Sequence, residues 1–195
     1  MYNTYINKRL IMEISKHETV WLESEGAKII ADIGVKQGDI VIDYGCGEGR
    51  YTIPLSQVVG KQGCVYSIER DENAISVVQD RLPQFSNPDI VKFLKIDNLE
   101  TSAILEENSI DAIFVFDVLQ YVKDWDRLFR YFHKVIKPKG IVCIYPAAIP
   151  HPGDVDIALI ISKMQKIGFR FVKSTKYQMM HNVDMVEDVV YSFSF

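Results

Sequence analysis

Three glycines at alternate positions follow an acid in VIDYGCGEGRYTIPLS, residues 41–56. Gly45, Gly47 and Gly49 stand where a β-branched run, Ile40 to Ile42, passes through Asp43 and Tyr44 into a helix-like pattern. Residues without a Cβ let a chain turn tightly and approach a ligand, and the helix that follows presents unpaired N–H groups. The alternative is a strand-to-helix turn that touches nothing. Two phosphate chemistries fit poorly here. A loop that cradles a nucleoside triphosphate needs GxxxxGK and then Ser or Thr, and the lysine is missing. A dinucleotide fingerprint, GxGxxG, puts a small residue at position 50, where this chain has Arg50, so NAD is disfavoured.

Further acids close other apolar runs. Glu69 ends VYSIE and precedes Arg70, Asp97 and Asn98 follow LKI, and Phe116 and Asp117 end FVFD. Taken singly, such an acid caps the next helix more often than it binds anything, and Asp71 or Asp97 alone reads that way. Their recurrence at strand ends, beside the glycine loop, is what points to a shared site.

The elements that must position these residues alternate. Helical spacing covers 17–33 and stops at Gly34; a buried strand follows at GDIVIDYG, then a helix over 50–60. Strands are predicted over 64–69, 89–96, 111–116 and 140–145, with helices over 71–82 and 123–136 between them. Lys137-Pro138-Lys139-Gly140 marks a break between helix and strand. Such alternation argues for a parallel sheet with helices on both faces. The tail differs: a helix over 155–167 ended by Gly168, then two strands separated by a polar loop around HNVDMVED, which favours an antiparallel hairpin. One domain is expected, with a helical cap over 1–35, a core over 36–145 and a C-terminal helix and hairpin over 146–195.

With 48% apolar residues in 195, the chain can bury a full core without metals or disulfides. Its formal charge of −4 supplies no global field for nucleic acid. The basic residues Lys163, Lys166, Arg170, Lys173 and Lys176 read as solvated faces before an RNA contact. Cys46, Cys64 and Cys143 are widely spaced, without a CxxC pair or a histidine cluster, so reduced thiols and no metal site are expected, with Cys46 a small filler in the loop. The N-terminus lacks a signal-peptide core, and no later run is apolar enough to span a membrane, so a cytoplasmic protein is expected.

The spacing DxGxGxG resembles the first motif of class I S-adenosylmethionine-dependent methyltransferases, in their small-molecule subgroup. The resemblance extends through VYSIE, LKIDN, FVFDVLQYV and VIKPKGIVCIY, from about residue 36 to 145. It implies a three-layer Rossmann-like α/β sheet of seven strands in the order 3-2-1-4-5-7-6. It also implies S-adenosylmethionine as cofactor, S-adenosylhomocysteine as product, and catalysis mainly by alignment of an already activated methyl. By the same resemblance Gly45, Gly47 and Gly49, with Tyr44, line the methionine portion, and Asp43 meets its ammonium directly or through water. Glu69 takes the ribose hydroxyls, Asp97 and Asn98 face adenine, and Phe116 and Asp117 close the other side. Arg70 departs from the small or apolar residue common there, and either stacks on the base or reaches water. Gln120 and Tyr121 stand where many relatives carry histidines, so no catalytic base transfers. Acceptor-side candidates are Tyr121, Tyr145, His151 and His181. Trp21 and Tyr5 either form an aromatic lid or belong to a helix packed on the body, the reading favoured by spacing. A small-molecule acceptor is favoured over RNA or protein, and over a silent cofactor-binding module. Monomer and homodimer are both compatible with the sequence.

Overall fold

The computed structural model describes residues 15–95, 105–146 and 155–195. Seven strands form one sheet in the order β3-β2-β1-β4-β5-β7-β6. Its centre is β1 (Ile40–Tyr44), parallel to β2 (Cys64–Glu69) on one side and β4 (Ile110–Phe116) on the other. β3 (Val91–Lys95) extends the first side. β5 (Ile136–Tyr145) extends the second, and β7 (Asp184–Ser194) and β6 (Arg170–His181) add an antiparallel hairpin. This is the strand order that the resemblance implies.

The central strands are apolar at nearly every position because both faces are covered, and their residues divide by parity. Val41, Phe114, Phe116, Cys143 and Tyr145 enter one core, shared with α2 (Gly26–Ile33), α3 (Thr52–Val59) and α4 (Glu72–Phe85), which follow the short α1 (Lys16–Val20). Ile42, Ile113, Val115, Val142 and Ile144 enter the other, under α5 (Trp125–Val135) and α6 (Ile157–Ile167). The strand order reverses between β1 and β4, and a crevice opens at the carboxyl ends of these strands.

The predicted helix over 17–33 is present, with a π segment at Trp21–Glu25 between α1 and α2. Trp21 and Leu22 are both fully buried there. Gly26 allows that packing, since a Cβ on it would lie 2.6 Å from Pro54 Cγ and 2.9 Å from Trp21 Cε2. Trp21 is therefore a core residue on the body; Tyr5 lies outside the described residues.

Two expectations of the sequence are corrected. The break at 137–140 is the entry of β5, which begins at Ile136 opposite Ile110 and shifts register before Ile141. Lys137 Nζ holds the Asp111 carboxylate at 2.7 and 2.8 Å, and Lys139 takes a left-handed φ of 70°, so the kink is absorbed within the strand. The polar loop predicted around 181–188 is almost entirely strand: pairing continues to His181 opposite Asp184, leaving Asn182 and Val183 as the turn. Asn182, at φ 53°, tolerates the left-handed conformation that this tight reversal needs. Long-range pairing, not local polarity, decides this segment.

Candidate functional site

Each glycine of the loop is required for a different reason, although all three have positive φ. At Gly45 a Cβ would lie 2.3 Å from Val118 Cγ2, and at Gly49 it would lie 2.7 Å from Val78 Cγ1 on α4. At Gly47 it would meet nothing within 4 Å. Gly49 thus serves internal packing, Gly45 the approach of the segment after β4, and Gly47 the open cleft. The loop is fixed to β2 by Gly45 and Cys46 N–H groups donating to Ile68 O at 2.8 and 3.1 Å.

The cleft has a volume of about 700 Å³, within the range of small-molecule sites. One wall carries Tyr44, Gly45, Gly47, Glu69 and Arg70; the opposite wall carries Asp117, Val118 and Tyr121. Glu69 spans the strand ends. Its Oε2 accepts from Gly47 N–H at 3.0 Å, and its Oε1 accepts from the N–H groups of Arg70 and Asp71 at 2.7 and 3.1 Å. A carboxylate retains further acceptor capacity after three such bonds, directed to the cleft. Asp71 is the N-cap of α4, accepting from Asn73 N–H at 2.9 Å.

Asp43 lies behind this surface. It is 2% exposed, and its Oδ2 accepts from Thr52 Oγ1 at 2.6 Å, which in turn lies 2.9 Å from Ser67 Oγ. Burial, reinforced by the charge of Glu69 and opposed by the Thr52 bond, pushes its carboxyl up to about 7. A neighbouring cation would favour the ionised form. The Cys46 thiol is pushed well up by burial and then by Asp43 and Glu69, which keeps it protonated and suits a filler.

The predicted site residues divide accordingly. Tyr44, Gly45, Gly47, Glu69, Arg70, Asp117 and Tyr121 line the cleft. Gly49, Asp43 and Phe116 do not; Phe116 is buried, with its ring edge-on to Tyr51 at 4.8 Å and Tyr145 at 5.8 Å. Tyr145 is 1% exposed, its hydroxyl held protonated by burial and by Asp188 and Asp117, so it is a core ring and not a cleft contact. Tyr121 is 60% exposed at the rim. His181 is buried, and its Nδ1 lies 3.1 Å from Asp117 Oδ2. Asp97, Asn98 and His151 lie outside the described residues.

One cluster was invisible in the sequence. Buried Glu18 on α1 takes Arg50 Nε at 3.1 Å and Arg81 Nη1 at 3.3 Å, while Glu48 takes Arg50 Nη2 at 3.2 Å. Trp21 Nε1 donates to Arg50 O at 2.7 Å. The residue that breaks the dinucleotide fingerprint is thus the anchor that ties the glycine loop to the N-terminal helix and α4. Helical spacing alone could not show this, because Glu18 and Arg81 resemble ordinary surface charges.

A family model described as a methyltransferase domain matches residues 35–186. The chain belongs to the methyltransferase-domain family. Among its relatives, the demethylmenaquinone methyltransferase of Staphylococcus aureus is 29% identical over 163 residues, which is 83% of this chain and 61% of that protein. The chain therefore spans about three-fifths of the length of the curated relatives it matches. A SAM-dependent methyltransferase from Aquifex aeolicus superposes with a TM-score of 0.71 at 21% identity, covering 91% of this methyltransferase domain and 93% of that chain. The cyclase SpnF superposes with a TM-score of 0.64 at 18% identity, covering 78% and 58%. Such structural likeness concerns the fold, which is compatible with more than one chemistry. Among the described residues, no group of side chains is arranged to hold a metal ion and no helix is long and apolar enough to cross a membrane.

Proposed function

We propose that this methyltransferase domain binds S-adenosylmethionine in the cleft and passes its methyl to a small-molecule acceptor, releasing S-adenosylhomocysteine. Membership of the family supports the reaction class, and the relatives' names support a small acceptor. The observation that carries the reading is the seating of the Glu69 carboxylate at 3.0 Å from Gly47 N–H, beside the one loop glycine with open space over it. A carboxylate with spare lone pairs suits a vicinal diol, and bare main chain lets the rest of a nucleoside lie close.

The residues present fit that cofactor. Glu69 holds the ribose, Gly45 and Gly47 line the amino-acid portion, and Asp43 supplies a buried negative charge that a nearby ammonium would stabilise. Asp97 and Asn98 remain the proposed adenine partners, by resemblance. Arg70 and Tyr121 flank the cleft mouth, where a planar base could stack on either. When bound, S-adenosylmethionine supplies a sulfonium-activated methyl, so the protein's task is alignment and exclusion of water.

RNA is a weaker acceptor. The basic residues on α6 and β6 do not line the cleft, and two of them are already paired, Lys163 with Asp126 and Lys176 with Glu187. A cytoplasmic location remains part of the proposal.

Calorimetry with S-adenosylmethionine, S-adenosylhomocysteine and NAD tests the reading. Both sulfur nucleosides should bind and NAD should not, and Glu69→Ala should weaken binding by about 1–3 kcal/mol through the lost ribose contacts. Undiminished affinity in that variant would remove the role assigned to Glu69.

A further inference from the structure

Asp117 is held more firmly than a ligand-lining residue at a loop start requires. It has a left-handed φ of 52°, which a residue with a Cβ adopts at a cost, and its N–H donates to Tyr145 O at 2.7 Å. Gln120 Nε2 donates to its Oδ1 at 2.8 Å and to its main-chain oxygen at 3.1 Å. The other carboxylate oxygen faces His181 Nδ1 at 3.1 Å. The side chain of Asp117 is 28% exposed and lines the cleft, whereas that of His181 is 3% exposed.

His181 reaches this point from the far end of the fold. It ends β6, next to buried Met179 and Met180, and Tyr51 Oη fixes that end by donating to Met180 O at 2.8 Å. The turn beyond it is tied to the N-terminal helix by Ser15 Oγ, which donates to Val183 O at 3.0 Å. A hairpin, a strand end and a helix start thus converge to set one imidazole behind one carboxylate.

A carboxylate whose task is only to attract a cation gains nothing from an imidazole behind it, because a proton shared with the ring would weaken its charge. One that must take a proton gains an oriented partner that can share it. The neighbouring phenols are poor alternatives, since burial and nearby carboxylates push the Tyr51 and Tyr145 hydroxyls upward and keep them protonated.

We infer that Asp117 is the proton acceptor of the transfer reaction, with His181 as its positioning residue, and that the acceptor is a nucleophile bearing a proton. This rests on the methyl-transfer reading above. A hydroxyl, a primary or secondary amine or a carbon acid fits; a thioether or a tertiary amine, which have no proton to lose, does not. As the acceptor atom bonds to the methyl carbon, the carbon–sulfur bond breaks and its electron pair stays on sulfur. The proton from the acceptor atom passes to Asp117 and then to solvent.

The test uses the full chain as wild type, His181→Leu and His181→Asn. Asparagine keeps an N–H donor near the place of Nδ1. Cofactor affinity is measured by calorimetry, and product release is followed with 1,4-naphthohydroquinone, a simple phenol, a primary amine and a 1,3-diketone, against dimethyl sulfide and a tertiary amine. Wild type should act on at least one proton-bearing probe and on neither proton-free one. His181→Leu should lower kcat about 10- to 100-fold with KM and cofactor affinity nearly unchanged, and His181→Asn should recover most of that loss. Equal kcat in wild type and His181→Leu overturns the inference while leaving the methyl-transfer reading intact. So does transfer to the proton-free probes, or tight cofactor binding without transfer to any proton-bearing probe. Absence of cofactor binding by wild type refutes instead the reading on which the inference rests.

Discussion

The two walls of the cleft are built by different means. The wall at the ends of β1 and β2 is mostly main chain: Gly45, Gly47 and the N–H groups that Glu69 gathers, all close in sequence. The opposite wall is made of side chains after β4, among them Asp117, Val118 and Tyr121, and its Asp117 is braced from behind by Gln120 and by His181 of the C-terminal hairpin. A main-chain wall can grip a cofactor shared by many proteins, while a side-chain wall can be altered residue by residue to suit one acceptor. On the proposed reading, cofactor binding and acceptor recognition face each other across one cleft.

The largest effect that would break this comparison lies behind the first wall. Glu18 is buried between Arg50 and Arg81, so Glu18→Ala removes the buried carboxylate that both guanidinium groups share and leaves them only the more exposed Glu48. Its expected loss of stability is about 3 kcal/mol or more, read by urea denaturation. A loss below about 1 kcal/mol would show that the glycine loop does not depend on this anchor.

Next come the glycines themselves. Gly45→Ala combines a left-handed backbone with a Cβ 2.3 Å from Val118, and should cost about 3 kcal/mol of stability. Gly47→Ala meets no atom, so its cost is the backbone strain alone, about 1 kcal/mol. The methyl it adds faces the cleft, and cofactor affinity should fall about tenfold or more. Equal stability losses in the two variants, or unchanged affinity in Gly47→Ala, would erase the distinction between a packing glycine and a binding glycine.

The most gradual effect sharpens the comparison through pH. The Asp43 carboxyl is raised from 3.8 to about 7 in the fold, so the folded state holds a proton that the unfolded chain releases. Stability should therefore be greatest below about pH 4 as far as this group is concerned, and should decline until about pH 7, by a total of a few kcal/mol at most. Asp43→Asn should flatten that decline and be more stable than wild type at pH 8. Cofactor affinity in wild type should instead rise between pH 5.5 and 7, because the ammonium favours the ionised carboxylate; the rise should vanish in the variant. Denaturation and calorimetry across this range check both signs.

The asymmetry between the walls also explains what the sequence could convey. Runs such as IVI, VYSI and FVF announce buried parallel strands because both sheet faces need apolar residues, and DYGCGEG announces a strand-to-helix turn because its glycines need positive φ. These are local requirements. The pairing of Asp117 with His181 depends on a hairpin whose length is set by pairing across the sheet, and the polar run HNVDMVED concealed it. The Glu18–Arg81 contact joins residues 63 positions apart and leaves no periodic trace. Phe116, by resemblance, and Tyr145, as an acceptor-side candidate, were expected near ligands, yet parity turns both into the core shared with Tyr51. Strand ends locate a site, while parity decides which side chains enter it.

A crystal structure of the chain with S-adenosylhomocysteine tests the central claim most directly. The account predicts both ribose hydroxyls within hydrogen-bonding distance of Glu69 and the amino-acid portion lying over Gly47. A nucleoside bound elsewhere, or bound in the cleft with Glu69 turned away from the ribose, would contradict it.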